Sequence, residues 1–93
     1  MLFECAKAEN CFAESRTYEY RLPVTAGGFM ALLDGWDVKE NRKVRRPMFT
    51  ASRNGVNIRG VLTGRVIRVS FPDSRWENEK AQFEYWLESL EGA

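Results

Sequence analysis

Residues 44–71 read VRRPMFTASRNGVNIRGVLTGRVIRVSF, and this stretch decides the fold. Asn54-Gly55 separates two runs rich in β-branched and aromatic side chains, Val44 to Arg53 and Val56 to Leu62. Asn-Gly suits the type I′ turn of a two-residue hairpin, because both central residues of that turn need positive φ. Such a turn sets a register, with Arg53 opposite Val56, Ala51 opposite Ile58, Phe49 opposite Gly60 and Met48 opposite Val61. Taking Thr63-Gly64 as the next tight turn puts Val61 opposite Val66, Gly60 opposite Ile67, Arg59 opposite Arg68 and Ile58 opposite Val69. Thr-Gly is not a preferred pair for that geometry, so the second register is the weaker inference.

Side chains alternate between the faces of a strand, so the register sorts them. Phe49, Ala51, Val56, Ile58, Ile67, Val69 and Phe71 share one face, with Gly60 leaving room for Phe49 or a helix side chain. This is the expected core face. The other carries Met48, Val61 and Val66 beside Thr50, Arg59 and Arg68, then Ser52, Asn57 and Ser70. Arginines directly opposite one another repel unless an acid or a bound anion lies between them. A solvated face with an internal Glu or Asp, a nucleic-acid backbone or other anionic ligand, and the acidic patch of another protein would each answer that repulsion. Glu19 is a specific internal candidate if its strand lies beside this meander.

Pro72-Asp73-Ser74 ends the last strand and opens a helix, with Asp73 or Ser74 as cap and Ser74/Glu77 as a capping box. From Trp76 to Leu90, the residues Trp76, Phe83, Leu87 and Leu90 fall on one stripe, with Trp86 at its margin. This stripe is expected to cover the apolar sheet face, and Gly92 is placed to terminate the helix. On the opposite side Glu77, Glu84, Glu88 and Glu91 form an anionic stripe, with Ala81 and Tyr85 between or near them. These six residues are a candidate protein interface, set against the simpler reading of a solubilising helix surface.

Upstream of the meander, Leu2 to Ala6 reads as a short strand and residues 8–10 as a turn or linker. Thr17 to Val24 is a clearer strand, with Tyr18, Tyr20, Leu22 and Val24 alternating against polar residues, while Pro23 points to an edge or a strand end. Residues 26–28 suit a linker or a helix start, Phe29 to Leu33 a short buried helix turn or strand, and Asp34-Gly35 a turn. Trp36 suits a core edge or an interface anchor, and the polar residues 37–43 read as a loop. The expected architecture is α+β, a four- or five-strand mostly antiparallel sheet with one C-terminal amphipathic helix packed on one face. Free edges of so small a sheet suggest a homodimer, through the first strand, the Pro47-bearing strand or the Tyr85 side of the helix.

The chain has 93 residues, 44% of them hydrophobic, which suits a single small domain spanning residues 1–93. Formal net charge is +1, yet it is unevenly spread. Residues 37–72 carry about +7, residues 73–93 about −4 and the N-terminal part about −2. Lys39, Arg42, Lys43, Arg45 and Arg46 form the densest basic group. With Arg59 and Arg68 they are the candidate contacts for phosphates or an acidic partner, although no helix-turn-helix, zinc-finger or RNA-reading motif accompanies them. Pro47 places this group beside an edge strand.

Histidine is absent, and Cys5 and Cys11 resemble neither a CxxC redox pair nor a zinc site. Free thiols are expected, with a Cys5–Cys11 disulfide as the alternative. No metal site, cofactor site or catalytic residue is assigned: the acids sit at surface spacing and neither cysteine has a histidine base. A leader or a membrane-spanning run is not expected, and a cytoplasmic location fits.

These features point to a small non-enzymatic protein-interaction or inhibitory adaptor acting through a charged surface. The alternatives are a nucleic-acid-binding module using the basic edge and the arginine-bearing face, and a structural subunit or a small enzyme without a recognised motif. Compact size, a charged small sheet and a covering helix also occur among phage and mobile-element accessory proteins, inhibitors of host defence included.

Overall fold

The computed structural model describes residues 3–7, 15–43 and 45–90. Its elements run β1 (Glu4–Lys7), β2 (Ser15–Arg21), α1 (Ala26–Met30), β3 (Asp37–Asn41), β4 (Met48–Arg53), β5 (Val56–Val61), β6 (Val66–Pro72), a 3-10 turn (Asp73–Arg75) and α2 (Trp76–Ser89). The six strands form one antiparallel sheet in the order β1-β2-β6-β5-β4-β3. The expected four or five strands are therefore too few.

The added strand is β3, in the segment read as a loop. Its sequence, DVKEN, offers one β-branched side chain and no clear alternation, so local propensity does not announce it. Tertiary pairing forms it, because the outer backbone groups of β4 need hydrogen-bond partners and β3 supplies them from Asp37↔Ser52 to Asn41↔Met48. Val38, opposite Ala51, is half-buried against the core and anchors the strand. Pro47 accordingly does not mark an edge. It precedes an interior strand, and its carbonyl accepts from the Leu62 amide at 2.8 Å.

Around the central hairpin the observed register matches the sequence reading: Arg53↔Val56, Ala51↔Ile58 and Phe49↔Gly60, then Ile58↔Val69 and Arg59↔Arg68. Asn54 and Gly55 both have positive φ, 51° and 82°, as a type I′ turn requires. β2 pairs with β6 through Tyr18↔Val69, Glu19↔Arg68 and Tyr20↔Ile67, closing the sheet around the meander. β2 stops at Arg21, before Pro23 could interrupt a ladder.

One sheet face is the core. Tyr20, Phe49, Ile58, Ile67, Val69 and Phe71 are essentially inaccessible, and Phe83 and Leu87 of α2 pack onto them. Phe83 meets Tyr20 and Phe71 edge-on, at ring-centroid distances of 5.3 and 5.9 Å. Each such side chain contributes on the order of 1.5–3 kcal/mol of burial. α1 lies on the same face over β5, held by the Gly27 amide on the Leu62 carbonyl (3.0 Å) and the Ala26 amide on the Gly64 carbonyl (2.7 Å). Thr25 caps it, accepting from the Gly28 amide at 3.2 Å. The expected cap of α2 is not formed: the 3-10 turn occupies residues 73–75 and the position before Trp76 is Arg75, without a side-chain cap bond.

Gly60 makes this stacking possible. A Cβ there would lie 3.1 Å from Phe49 Cε1 and 3.2 Å from both Ala26 Cβ and Ile67 Cγ2, so α1, β4 and β6 close on the missing side chain. Gly60→Val is expected to lower stability by roughly 1–3 kcal/mol through overpacking, read as a lower urea midpoint at unchanged m-value.

Candidate functional site

Among the described residues, no element covers the face of the sheet away from α1 and α2, although Thr17 at one end of it is buried. Cross-strand pairing builds three rows on it. The first contains Glu4, Arg21, Val66, Val61, Met48 and Asn41, and the second Ala6, Glu19, Arg68, Arg59, Thr50 and Lys39. The third contains Thr17, Ser70, Asn57, Ser52 and Asp37. Met48 and Val66 are each 37% exposed, an accessibility that large apolar side chains on this chain otherwise rarely keep. Asp37, Lys39, Thr50, Ser52, Asn57, Arg59 and Ser70 line an open depression of about 510 Å³ on this face. None of the described residues facing this side is aromatic.

Glu19 answers part of the arginine repulsion. It accepts from Arg68 Nη2 at 2.8 Å and Nε at 3.0 Å, and both side chains remain partly exposed. Arg59, across the strand, is exposed and has no ion-pair partner among the described residues. The row thus holds one neutralised arginine beside one free one. Thr17 is buried at the far end, its hydroxyl 2.9 Å from that of Ser70.

The basic cluster lies at one end of this face. The loop after β3 and the turn after β5 leave the sheet at the same end, because β4 and β5 run antiparallel and residues 47 and 62 are hydrogen-bonded there. Lys43, Arg45, Arg46 and Arg65 are exposed at that end, and Arg21 reaches it from β2 opposite Val66. Arg42 is paired with Glu40 at 2.7 Å. Lys39 lies inside the sheet row rather than in the loop. The topology therefore puts Lys39 in the row of Arg59 and Arg68, and leaves Lys43, Arg45 and Arg46 beyond the row of Val66, Val61 and Met48.

The acidic helix stripe is divided differently from its sequence pattern. Glu77, Ala81, Tyr85 and Glu88 are exposed, Tyr85 at 76%, while Glu91 lies outside the described residues. Glu84 turns inward, accepting from the Tyr20 hydroxyl at 2.9 Å and pairing with Lys80. The Lys80 ammonium also stands 4.9 Å from the Tyr18 ring centroid. Burial, and then the bond to the Glu84 carboxylate, push the Tyr20 hydroxyl well above its ordinary titration range. Burial, the largest single effect, lowers Lys80, but the hydrogen bond and the charge attraction of Glu84, with smaller contributions from Cys5 and Tyr18, together outweigh it and raise it. Sequence spacing gave no sign of the bond, since Tyr20 is 64 residues from Glu84.

Trp36 is half-buried and packs edge-on against Phe83 (6.4 Å) and near Trp86 (6.3 Å), at a second depression of about 210 Å³. Arg75 crosses that depression's margin, donating to the Asn54 carbonyl at 3.0 Å and to Glu79 at 3.4 Å. Cys5 is an exposed free thiol, and Cys11 and Gly92 lie outside the described residues. Among the described residues no cluster of three or more His, Cys, Asp or Glu could hold a metal ion, and no helix is long and apolar enough to cross a membrane. No protein family, curated protein or solved structure matches the chain.

The Tyr20–Glu84–Lys80 network predicts a sensitivity to alkali. Both raised groups hold their protons more tightly when folded, so their contribution is complete below the ordinary Tyr and Lys values of 10.0 and 10.5. It is lost as the pH rises above them, because the unfolded chain then releases protons that the native state retains. Tyr20→Phe should cost about 1 kcal/mol at neutral pH and flatten the fall in urea midpoint above pH 10.

Proposed function

We propose that this protein is a non-enzymatic interaction module that binds an acidic, partly apolar surface of another protein on its open sheet face. One observation carries the reading: exposed Val66 and Met48, with half-buried Val61 between them, lie beside Arg21, Arg59 and Arg68 on a face that no described element covers. Accessible apolar groups rimmed by charges of one predominant sign fit protein recognition, in which apolar contact supplies affinity and charge supplies orientation. Arg59, without an ion-pair partner among the described residues, is the charge most available to an incoming carboxylate.

Binding a nucleic-acid backbone is the second reading, favoured by the exposed basic end at Lys43, Arg45, Arg46 and Arg65. Against it, the face offers no ring on which a base could stack, and Glu19 and Asp37 would oppose phosphates within it. Catalysis ranks lower. The hydroxyls of Thr50, Ser52 and Ser70 sit on an open strand face in a sequence without histidine.

Selection of a random peptide library on the immobilised protein tests the assignment. Enriched peptides should combine Asp or Glu with apolar residues, and Arg59→Glu or Val66→Glu should abolish their binding while Tyr85→Ala leaves it intact. Dependence on Tyr85 would move the site to the helix. Binding confined to mixed-sequence oligonucleotides, weakening steeply with salt, would favour the phosphate reading instead.

A further inference from the structure

We infer that the outer edge of β3 is the docking site for a second copy of this chain, with a two-fold axis at Val38 that joins two sheets into one. Among the described residues β3 pairs only with β4, and it carries four exposed residues out of five. Which of its backbone groups face outward follows from the hydrogen-bond phase. Residues 47 and 62 are bonded through Leu62 N and the Pro47 carbonyl, so the odd-numbered positions of β4 direct their backbone groups at β5. The even positions Met48, Thr50 and Ser52 then serve β3, where they meet Asn41, Lys39 and Asp37. Val38 and Glu40 are left with amides and carbonyls directed away from the sheet.

A second β3 adding antiparallel to this edge, with the like faces of both sheets aligned, has few registers, and the side chains rank them. Centring the axis on Lys39 places Lys39 opposite its own copy. That is repulsive. Centring it on Glu40 opposes two carboxylates, each already paired with its own Arg42, and sets Lys39 opposite Asn41, so it offers no attraction between opposite charges. Centring it on Val38 places Val38 against Val38 on the core side, and Asp37 opposite the copy's Lys39 twice on the open side. Neither Asp37 nor Lys39 has an ion-pair partner among the described residues. The strand is therefore self-complementary in one register, with its half-buried valine on the axis. The other edge lacks this property within Glu4–Lys7, because Glu4 and Lys7 point to opposite faces and no antiparallel self-pairing can oppose them. The paired sheets would also bring the two open depressions together beside the axis, since Asp37 and Lys39 line them.

Oxidative cross-linking on a Cys5→Ser/Cys11→Ser background reads the register directly. At a hydrogen-bonded antiparallel pair the Cα atoms stand about 5.5 Å apart, within disulfide reach. Val38→Cys should give a covalent dimer, and Lys39→Cys and Glu40→Cys should not. Asp37→Lys or Lys39→Asp alone should slow Val38→Cys cross-linking roughly tenfold, and the double exchange should restore it, with circular dichroism showing every variant folded. Equal cross-linking at all three positions, none at Val38 in folded protein, or indifference to the single reversals would overturn the proposal. The test uses the purified chain alone, so its result is independent of whether the open face binds an acidic partner.

Discussion

The two positive φ angles at Asn54 and Gly55 hold the register on which every other contact depends. A slip of one residue in the β4–β5 hairpin would turn one strand over against the other, sending Phe49 and Ala51 toward solvent and Thr50 under the helices while Ile58 kept its side. β6 takes its alignment from β5, β2 from β6 and β3 from β4, so the error would spread through the sheet. Apolar burial on one face reinforces the choice, because only the observed register gives Phe83, Leu87 and Phe29 a surface to pack on. Local turn chemistry and long-range burial thus specify the same alignment, the kind of agreement that separates one folded state from its competitors.

Covering that face demands close approach in one half and polar compensation in the other. Over β5, α1 comes near enough that a Cβ at position 60 would crowd Ala26, Phe49 and Ile67. Near β2, α2 places Glu84 against a tyrosine that is otherwise inaccessible, and the carboxylate satisfies a hydroxyl whose burial without a partner would be costly. Lys80 then neutralises the carboxylate from the next helical turn. The helix acid that sequence spacing assigned to an outer stripe belongs instead to the seam between helix and sheet. Two polar side chains at the solvent margin, Arg16 and Asp73, extend the seam, with Arg16 4.7 Å from the Trp76 ring centroid and 3.0 Å from the Asp73 carboxylate.

Legibility in the sequence followed the range of the interaction. The β4–β5–β6 register could be read because a two-residue turn encodes pairing within a few positions, and α2 because Trp76, Phe83 and Leu87 repeat with the helical period. β3 could not, since a polar strand at an edge owes its existence to the unsatisfied backbone of its neighbour rather than to its own side chains. Missing it also misplaced Pro47, which seemed to mark an edge only while nothing lay beyond β4. Among candidate site residues, alternation puts Arg59 and Arg68 on one face, and makes Glu19 a partner for either of them if its strand lies beside the meander; which arginine it takes follows only from the β2–β6 pairing, which sets Glu19 opposite Arg68. The proximity of Arg65 and Arg21 to the Lys43–Arg46 loop could not be read, because it arises from two turns meeting at one end of the sheet.

Layer count explains why the sheet, rather than the helix, holds the broader candidate surface. A six-strand sheet covered on one side only must present its second side to solvent or to something else. A purely solvated face would need polar residues throughout, and the third row of this one is polar throughout, with Ser70, Asn57, Ser52 and Asp37 at least partly exposed and Thr17 buried at its end. The first row does not: Val66, Val61 and Met48 stand side by side where no folding requirement places them, since the core lies on the other face. The middle row sets Arg59 beside them without the carboxylate that its neighbour Arg68 receives. Exposed apolar groups, and a cation opposite Arg68 with no carboxylate among the described residues, are the features that the proposed acidic partner with apolar content would complement. On the helix, by contrast, Tyr85 stands among charged and small residues with no second unsatisfied feature beside it, and a single exposed ring is an ordinary property of a protein surface.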